Sequence, residues 1–312
     1  MTSNPFDLHD QAAYQRWRAR TMAAQPARAT DLIVDVQDPK SLQNQELLTL
    51  TTLCDQANMA IYRSPITDGG KDLVLALGRQ LGLCRLDGNW LADEDGISPI
   101  AVAQDSGGER PAFIPYTNRP IKWHTDGYYQ PPERLIRGMV LHCVRPARQG
   151  GETALLNPDI AYIALRDTNP AWVAALMAPE AMTIPARLDD DGVARPAQTG
   201  PVFSVDGASG TLHMRYTART RSIVWRDDPD TRAAVAFLAD FLESDSPHIH
   251  RLRLQPGMGL VCNNVLHDRA GFDDDPALPR LLYRARYLDR VAPAGSYKKS
   301  TANADKTIVS SY

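Results

Sequence analysis

The sequence predicts a mainly β protein, a sandwich or barrel, that follows an N-terminal helical segment. From about residue 97, short β-rich runs alternate with clusters of Pro, Gly and Asp, a pattern typical of antiparallel sheets and unlike alternating β–α units. Two stretches with helical periodicity, near 158–178 and 229–243, interrupt it. The predicted strands are residues 97–103, 121–124, 138–144, 211–216, 252–254, 259–267 and 281–288.

The N-terminal segment carries helical patterns. We predict helices at residues 8–23, 40–60 and 71–82. Ser41 is a candidate N-cap of the second helix, and Gly82 ends the third. The predicted organisation is therefore an N-terminal α/β extension (1–95), a β-rich catalytic domain with the two helical insertions (96–295), and a polar C-terminal tail (296–312).

Composition limits the possible function classes. The chain has 312 residues, of which 43% are hydrophobic and 23% charged, so it can bury a large core and is not a disordered chain. A formal net charge of −3 without a basic block indicates no nucleic-acid or anionic-membrane partner. Because we find neither a secretory leader nor a long apolar run, we expect a cytoplasmic protein without membrane spans, with its four separated cysteines reduced.

A candidate metal site begins in Lys-Trp-His-Thr-Asp-Gly-Tyr-Tyr, residues 122–129. In an extended segment His124 and Asp126 point to the same side, about 7 Å apart at ~3.3 Å per residue. His267, which ends a strand-like run, is the natural third ligand. Two imidazoles and one carboxylate leave positions open for a co-substrate and dioxygen, which suits iron(II). A His-x-Asp triplet alone is more often a surface ion pair, so this prediction depends on the motifs that follow.

Three arginines alternate along the last predicted strand. Arg280, Arg284 and Arg286 share one face at period two, and buried arginines require anions. If the face is exposed, they are a solvated edge; if it lines a pocket, they form a carboxylate-binding wall. A turn through residues 271–276 would make this strand a neighbour of the one that carries His267, which favours the pocket.

Four ordered motifs now carry a resemblance that covers about residues 114–288. They are Trp-His-Thr-Asp (123–126), Gly-Gly-Glu-Thr (150–153), Asn-Asn-Val-Leu-His-Asp-Arg (263–269), and Arg280 with Arg284. With them the chain resembles the taurine/2,4-D dioxygenase-like (TauD/TfdA) group of Fe(II)/2-oxoglutarate dioxygenases, which has clavaminate synthase and γ-butyrobetaine hydroxylase relatives. The resemblance implies a double-stranded β-helix, a jelly roll of two antiparallel sheets, behind the N-terminal helical extension.

The resemblance also implies site roles and chemistry. His124, Asp126 and His267 match the iron-binding triad, Arg280 the arginine that binds the distal carboxylate of 2-oxoglutarate, and Thr153 the hydroxyl that assists it. Arg284 matches a position that contacts the acidic group of the primary substrate. The implied reaction uses O2 and 2-oxoglutarate to hydroxylate an unactivated C–H bond, and it releases succinate and CO2.

The substrate is less defined than the chemistry. Tyr128 and Asn118 are candidate substrate contacts, although a core aromatic residue and an ordinary turn are the simpler interpretations. Beyond Arg280, the arginines suggest a small molecule that bears a carboxylate, sulfonate or phosphonate, and a homo-oligomer is compatible with the sequence. Two alternatives stay open: a divalent-metal hydrolase that uses the same triad, and a non-catalytic module that binds 2-oxoglutarate and iron.

Overall fold

The computed structural model describes residues 4–88, 92–103, 113–189, 192–219 and 223–292. The helices in these ranges are α1 (Gln11–Ala23), α2 (Asn44–Ala57), α3 (Lys71–Gln80), α4 (Pro158–Thr168), α5 (Pro170–Met177) and α6 (Pro229–Leu242). The strands are β1 (Ile33–Asp35), β2 (Met59–Arg63), β3 (Ser98–Ile100), β4 (Ile121–His124), β5 (Gly138–Arg145), β6 (Gln149–Gly150), β7 (Thr153–Leu156), β8 (Met182–Ile184), β9 (Arg187–Asp189), β10 (Gly192–Arg195), β11 (Gln198–Gly200), β12 (Phe203–Val205), β13 (Leu212–Met214), β14 (Val224–Trp225), β15 (His250–Leu252), β16 (Met258–Cys262), β17 (Leu266–Arg269), β18 (Phe272–Asp273) and β19 (Leu281–Tyr287).

Two sheets form the core of the protein. The larger has the strand order β1-β2-β16-β5-β19-β3, and the smaller has the order β15-β7-β17-β4. Their pairings are antiparallel, except that β1 runs parallel to β2. Buried apolar side chains of both sheets, such as Met139 on β5, Leu155 on β7 and Leu282 on β19, meet in one cluster. This is the predicted jelly roll, open between its two sheets and not closed into a barrel.

Of the three N-terminal helices, α2 and α3 cover the outer face of the larger sheet, whereas α1 packs against α4. Leu73, Val74 and Leu77 of α3 recur at helical spacing and are fully buried. Two of them, Val74 and Leu77, pack in one cluster with Val140 and Val261 of the sheet. Because β1 and β2 belong to the same sheet, the N-terminal residues also supply two of its strands. A domain boundary near residue 95 remains a prediction.

The helical insertions cover the outer face of the smaller sheet. α4 and α5 fill the stretch predicted at 158–178, and α6 fills the one at 229–243. Asn157 and Asp228 cap α4 and α6 by accepting hydrogen bonds from first-turn amides, and a proline follows each cap. These helices share a core with Leu156 and Leu266 of the smaller sheet. No helix in the described part of the chain is long and apolar enough to cross a bilayer, and residues 296–312 lie outside the described ranges.

Three sequence predictions about the bounds and order of these elements were wrong. The predicted helix 40–60 ends at Ala57, because Asn58 adopts a left-handed conformation with φ 60° and β2 begins directly after it. The predicted strand 259–267 is two strands, β16 and β17, because Asn264 has φ 53° and turns the chain from the larger sheet into the smaller. Consequently β19 is not a neighbour of β17; it pairs with β5 and β3 in the opposite sheet.

Candidate metal centre and active site

Strand pairing brings the three predicted ligands together. β17 pairs with β4 so that His267 lies opposite His124, and their ring centroids are 4.2 Å apart. Asp126 follows two residues after β4 ends, and its Oδ1 lies 3.8 Å from His124 Nε2. One ligand atom from each of the three residues lies within 4.8 Å of the others. The geometry therefore matches the spacing that a single metal ion requires.

The two imidazoles are held in the orientation that a metal requires. Nδ1 of His124 is 2.9 Å from the carbonyl oxygen of Lys122, and Nδ1 of His267 is 2.9 Å from that of Val265. A carbonyl can only accept, so each Nδ1 carries the proton and each Nε2 keeps its lone pair. Burial and the adjacent His267 lower the pKa of His124 to about 3, so this ring is neutral at physiological pH.

Asp126 supplies a carboxylate oxygen that no group in the described chain satisfies. Its Oδ2 is buried and has no hydrogen-bond partner, whereas its Oδ1 accepts a hydrogen bond of 3.2 Å from Arg284 Nη1. Burial opposes ionisation, but the Arg284 and Arg286 guanidiniums hold the pKa of Asp126 well below its ordinary value. A buried, ionised oxygen without a donor is the state expected of a metal ligand, so the donor set fits iron(II).

Asn264 fixes the backbone of Asp126. Its Oδ1 accepts a hydrogen bond of 2.7 Å from the Asp126 N–H, and its Nδ2 donates to the carbonyl oxygens of Asp126 at 2.9 Å and Ile136 at 2.6 Å. The side chain reaches these groups because Asn264 occupies the left-handed turn between β16 and β17. The same residue thus sends the chain towards His267 and holds Asp126.

A cavity lies beside the ligands, between the two sheets. Its lining includes the triad histidines, Thr153, Arg280 and Arg284. Its apolar wall is formed by Met139, Leu141, Cys143, Leu254 and Leu282. A short chain of methylene groups with polar ends matches this arrangement of one apolar wall between charged groups.

Arg280 lines this cavity and forms no salt bridge with a carboxylate of the described residues, although the charge of Asp274 acts on it from a longer distance. It is buried, its Nη1 has no hydrogen-bond partner in the described chain, and its guanidinium lies 5.0 Å from the Phe272 ring centroid. Burial lowers the pKa of Arg280 to about 10, so the group stays charged at neutral pH. The nearby Thr153 hydroxyl donates a hydrogen bond to the Asp268 carbonyl oxygen. An unpaired buried guanidinium requires an anionic ligand.

Arg286, on the same strand face, has a structural role. Its Nη2 donates to Asp87 Oδ2 at 2.6 Å, and its Nη1 donates to the Tyr129 hydroxyl at 3.0 Å. Asp87 also accepts hydrogen bonds from Gln130 and Arg134, and its side chain is fully buried. The suggestion that Arg286 contributes to substrate binding is thus not supported, because its charge is neutralised within the protein. No local pattern in the sequence marks Asp87 as its partner.

The two predicted substrate contacts fall in different places. Tyr128 lies beside the metal ligands, with its ring centroid 6.5 Å from that of His124 in an edge-on arrangement. Asn118 lies in an exposed turn, where its carbonyl oxygen accepts a hydrogen bond from the Phe272 N–H, and it does not line the cavity. The geometry therefore gives the prediction for Asn118 no support.

A jelly roll that presents two histidines and one aspartate beside an internal cavity has the architecture of a mononuclear non-haem iron oxygenase. The chain belongs to the taurine catabolism dioxygenase TauD, TfdA family, whose model matches residues 21–286. Over 183 residues it is 36% identical to a uridine-5'-phosphate dioxygenase of Amycolatopsis sp, a match that covers 56% of this chain and 62% of the relative. Over 206 residues it is 33% identical to a Streptomyces sp protein of the same name, a match that covers 63% of this chain and 71% of the relative.

A solved structure of an asparagine oxygenase, in complex with Fe(II), 2S,3S-3-hydroxyasparagine and succinate, has the same fold. Its TM-score is 0.57 at 15% identity, and the match covers 92% of this chain and 86% of that one. The predicted fold class and family are therefore confirmed. The match to the Amycolatopsis relative spans less than two thirds of that protein's length.

Proposed function

We propose that this protein is an Fe(II)/2-oxoglutarate-dependent oxygenase that hydroxylates an unactivated C–H bond of a small anionic molecule, with release of succinate and CO2. The observation that supports the proposal most strongly is that two buried polar groups beside the same cavity each lack a hydrogen-bond partner. Asp126 presents a buried oxygen without a donor beside two free imidazole nitrogens. Arg280 presents a buried N–H without an acceptor. A metal cation satisfies the first and a dicarboxylate satisfies the second.

His124, Asp126 and His267 would hold the iron(II), which when bound supplies the activation of dioxygen that side chains alone cannot provide. Burial and the neighbouring His267 keep the His124 imidazole neutral, Arg284 and Arg286 hold the Asp126 carboxylate ionised, and Asn264 fixes the backbone of Asp126. Arg280 would bind the distal carboxylate of 2-oxoglutarate, and the hydroxyl of Thr153 would assist by turning from the Asp268 carbonyl. The apolar wall between them excludes water from the co-substrate's methylene groups.

The substrate is proposed to be a small molecule with an anionic group such as a carboxylate, sulfonate or phosphonate. The names of the two relatives make uridine 5'-phosphate the first molecule to test. Nothing in the cavity requires a macromolecular partner. Iron(II) needs a reducing compartment, and the four cysteines are free thiols, so we propose a cytoplasmic location.

Oxygen consumption and succinate formation test the proposal. The wild-type protein would be assayed with iron(II), ascorbate and 2-oxoglutarate against uridine 5'-phosphate, amino acids and sulfonates. We expect substrate-dependent succinate formation that His124→Ala and Asp126→Ala both abolish. The exposed Arg232, which pairs with Asp227 at the surface, offers a matched control, and Arg232→Gln should leave turnover unchanged. Product formation without oxygen would identify a metal hydrolase instead, and tight 2-oxoglutarate binding without consumption of any panel member would identify a binding module.

A further inference from the structure

Positive charge that the proposed chemistry does not use lies near Tyr128, outside the lining of the cavity. Arg195 and Arg219 both lie close to Tyr128, and we refer to these three residues as the Tyr128 patch. The Arg219 guanidinium lies within hydrogen-bonding range of the phenol oxygen of Tyr128. The Arg195 guanidinium lies 5.8 Å from the ring centroid of Tyr129, and the Tyr129 ring packs edge-on against the Tyr128 ring at 5.3 Å. Both guanidiniums therefore lie beside the Tyr128–Tyr129 pair.

Backbone pairing fixes Arg219 relative to the metal ligands. Thr217 forms an antiparallel bridge with His124, and the Ala218 N–H donates to the Trp123 carbonyl oxygen at 2.8 Å. Residues paired across antiparallel strands point to the same face, so Thr217 projects towards the face that carries His124 and His267. Arg219 follows two residues later, and its N–H is 3.4 Å from Thr217 Oγ1. The ligand strand itself thus positions this arginine.

Arg195, at the end of β10, is fixed by neutral acceptors. Its Nη2 donates to the Pro185 carbonyl oxygen at 2.6 Å and its Nη1 to that of Pro196 at 3.0 Å, while its guanidinium lies 5.8 Å from the Tyr129 ring centroid. Partial burial lowers the pKa of Arg195, and the like charge of Arg187 lowers it further. Within the described ranges, neither Arg195 nor Arg219 forms a salt bridge with a carboxylate. Both guanidiniums are therefore available to bind an external anion.

Arg284, the residue that the resemblance assigns to the substrate's acidic group, is engaged elsewhere. Its Nη1 donates to Asp126 Oδ1 at 3.2 Å, and its Nε is buried without a hydrogen-bond partner. Moving it to a substrate would remove the charge that keeps the metal carboxylate ionised. The geometry therefore favours a different pair of arginines for the substrate anion.

We infer that Arg195 and Arg219, together with the Tyr128 hydroxyl, bind the phosphate group of a phosphate monoester substrate. Two guanidiniums match the two negative charges of a phosphate monoester, and forked N–H donors match its tetrahedral oxygens. A carboxylate or sulfonate carries one charge and would need one of the two. The inference rests on the proposed function only in treating the bound ester as the substrate. The Tyr128 ring is 6.5 Å from His124, so the oxidised carbon would lie within a few bonds of the phosphate.

Binding measured without turnover tests the inference. Calorimetry would be run on protein loaded with Mn(II) and 2-oxoglutarate, titrated with uridine 5'-phosphate, uridine, and a panel of other phosphate monoesters. We expect Kd for the bound monoester to rise at least about 10-fold in Arg195→Gln and in Arg219→Gln, and about 100-fold in the double variant. Arg195→Lys and Arg219→Lys should recover part of the affinity, Arg232→Gln should match the wild type, and uridine should bind weakly to every variant.

Several outcomes would overturn the inference. They are wild-type affinity in both glutamine variants, equal affinity of the wild type for uridine and its phosphate, or a preference of the wild type for carboxylates or sulfonates over every monoester. Thermal unfolding of each variant separates lost binding from lost folding. If the monoester binds through these arginines but the iron-loaded protein consumes no oxygen with it, the inference stands and the proposed function fails. If oxygen consumption depends on the substrate but not on these arginines, the proposed function stands and the inference fails.

Discussion

Replacing Asn264 should damage both the stability of the fold and the metal centre. Its side chain makes three buried hydrogen bonds to backbone groups, two of them on Asp126 and one on Ile136. Asn264→Ala would leave one N–H and two carbonyl groups without partners, each at a cost of about 1–3 kcal/mol, partly recovered by relaxation. Alanine at φ 53° adds about 1 kcal/mol of backbone strain. We expect a total loss of about 4 kcal/mol, a large part of the stability of an ordinary domain.

A matched variant separates the two causes. Asn264→Gly removes the same hydrogen bonds but accepts the left-handed conformation, so it should be about 1 kcal/mol more stable than Asn264→Ala. Urea denaturation of the metal-free proteins measures the free energy of unfolding. Because the side chain holds the backbone of a ligand, the affinity for Mn(II) should fall about 10- to 100-fold in both variants. The proposed support of Asp126 is wrong if the free energy of unfolding of Asn264→Gly lies within 1 kcal/mol of the wild-type value and the variant binds Mn(II) equally well.

Three further predictions concern buried side chains that can carry a charge. Asp87→Asn should cost about 3 kcal/mol in urea denaturation, because it leaves the Arg286 guanidinium buried beside a neutral amide; a loss under 1 kcal/mol would contradict the structural role of this pair. Arg280→Lys should raise KM for 2-oxoglutarate about 10-fold or more with a smaller change in kcat, because an ammonium cannot grip a carboxylate with two parallel N–H groups; an unchanged KM would remove Arg280 from the co-substrate site. Burial lowers the pKa of His142 to about 4, so the unfolded chain takes up the proton first and stability falls as pH drops from about 6.5 towards 4. Between neutral pH and pH 5 the free energy of unfolding of the wild type should fall by about 2 kcal/mol more than that of His142→Gln. Parallel curves of stability against pH for the two proteins would disprove this.

The sequence predicted local elements well where a single periodicity governed them. α3 and β4 lie where the patterns of residues 71–82 and 121–124 placed them, because apolar spacing decides which face is buried. The proximity of His124, Asp126 and His267 was expected from the sequence, because alternation along an extended segment suggests that His124 and Asp126 share one side, and the quoted motifs supplied His267. Asp126 itself lies two residues beyond the end of β4. Each inference needed only neighbouring residues or a pattern shared with a known family.

Sheet order could not be predicted in this way. The sequence separation between His267 and Arg280 suggested adjacent strands, but the two positions face each other from opposite sheets. The cause is a single left-handed asparagine that moves the chain from one sheet to the other. Asparagine adopts both left-handed and ordinary conformations, so residue identity alone did not reveal the turn. Arg219 was likewise unmarked, because its position depends on a bridge to His124 from a residue 93 positions away, Thr217.

Three arginines lie on β19 or directly before it, and each has a different electrostatic environment. All three point into the protein, where an unpaired charge is costly, so each must be explained by an anion. Arg286 has a buried aspartate from the N-terminal part of the chain, and Arg284 has the carboxylate of the metal ligand. Arg280 forms no salt bridge with a carboxylate of the described residues, and its Nη1 is buried without a hydrogen-bond partner. Because carboxylates of the described residues form salt bridges with Arg284 and Arg286 but not with Arg280, the charge balance of the strand supports our proposal that the anionic co-substrate binds at Arg280.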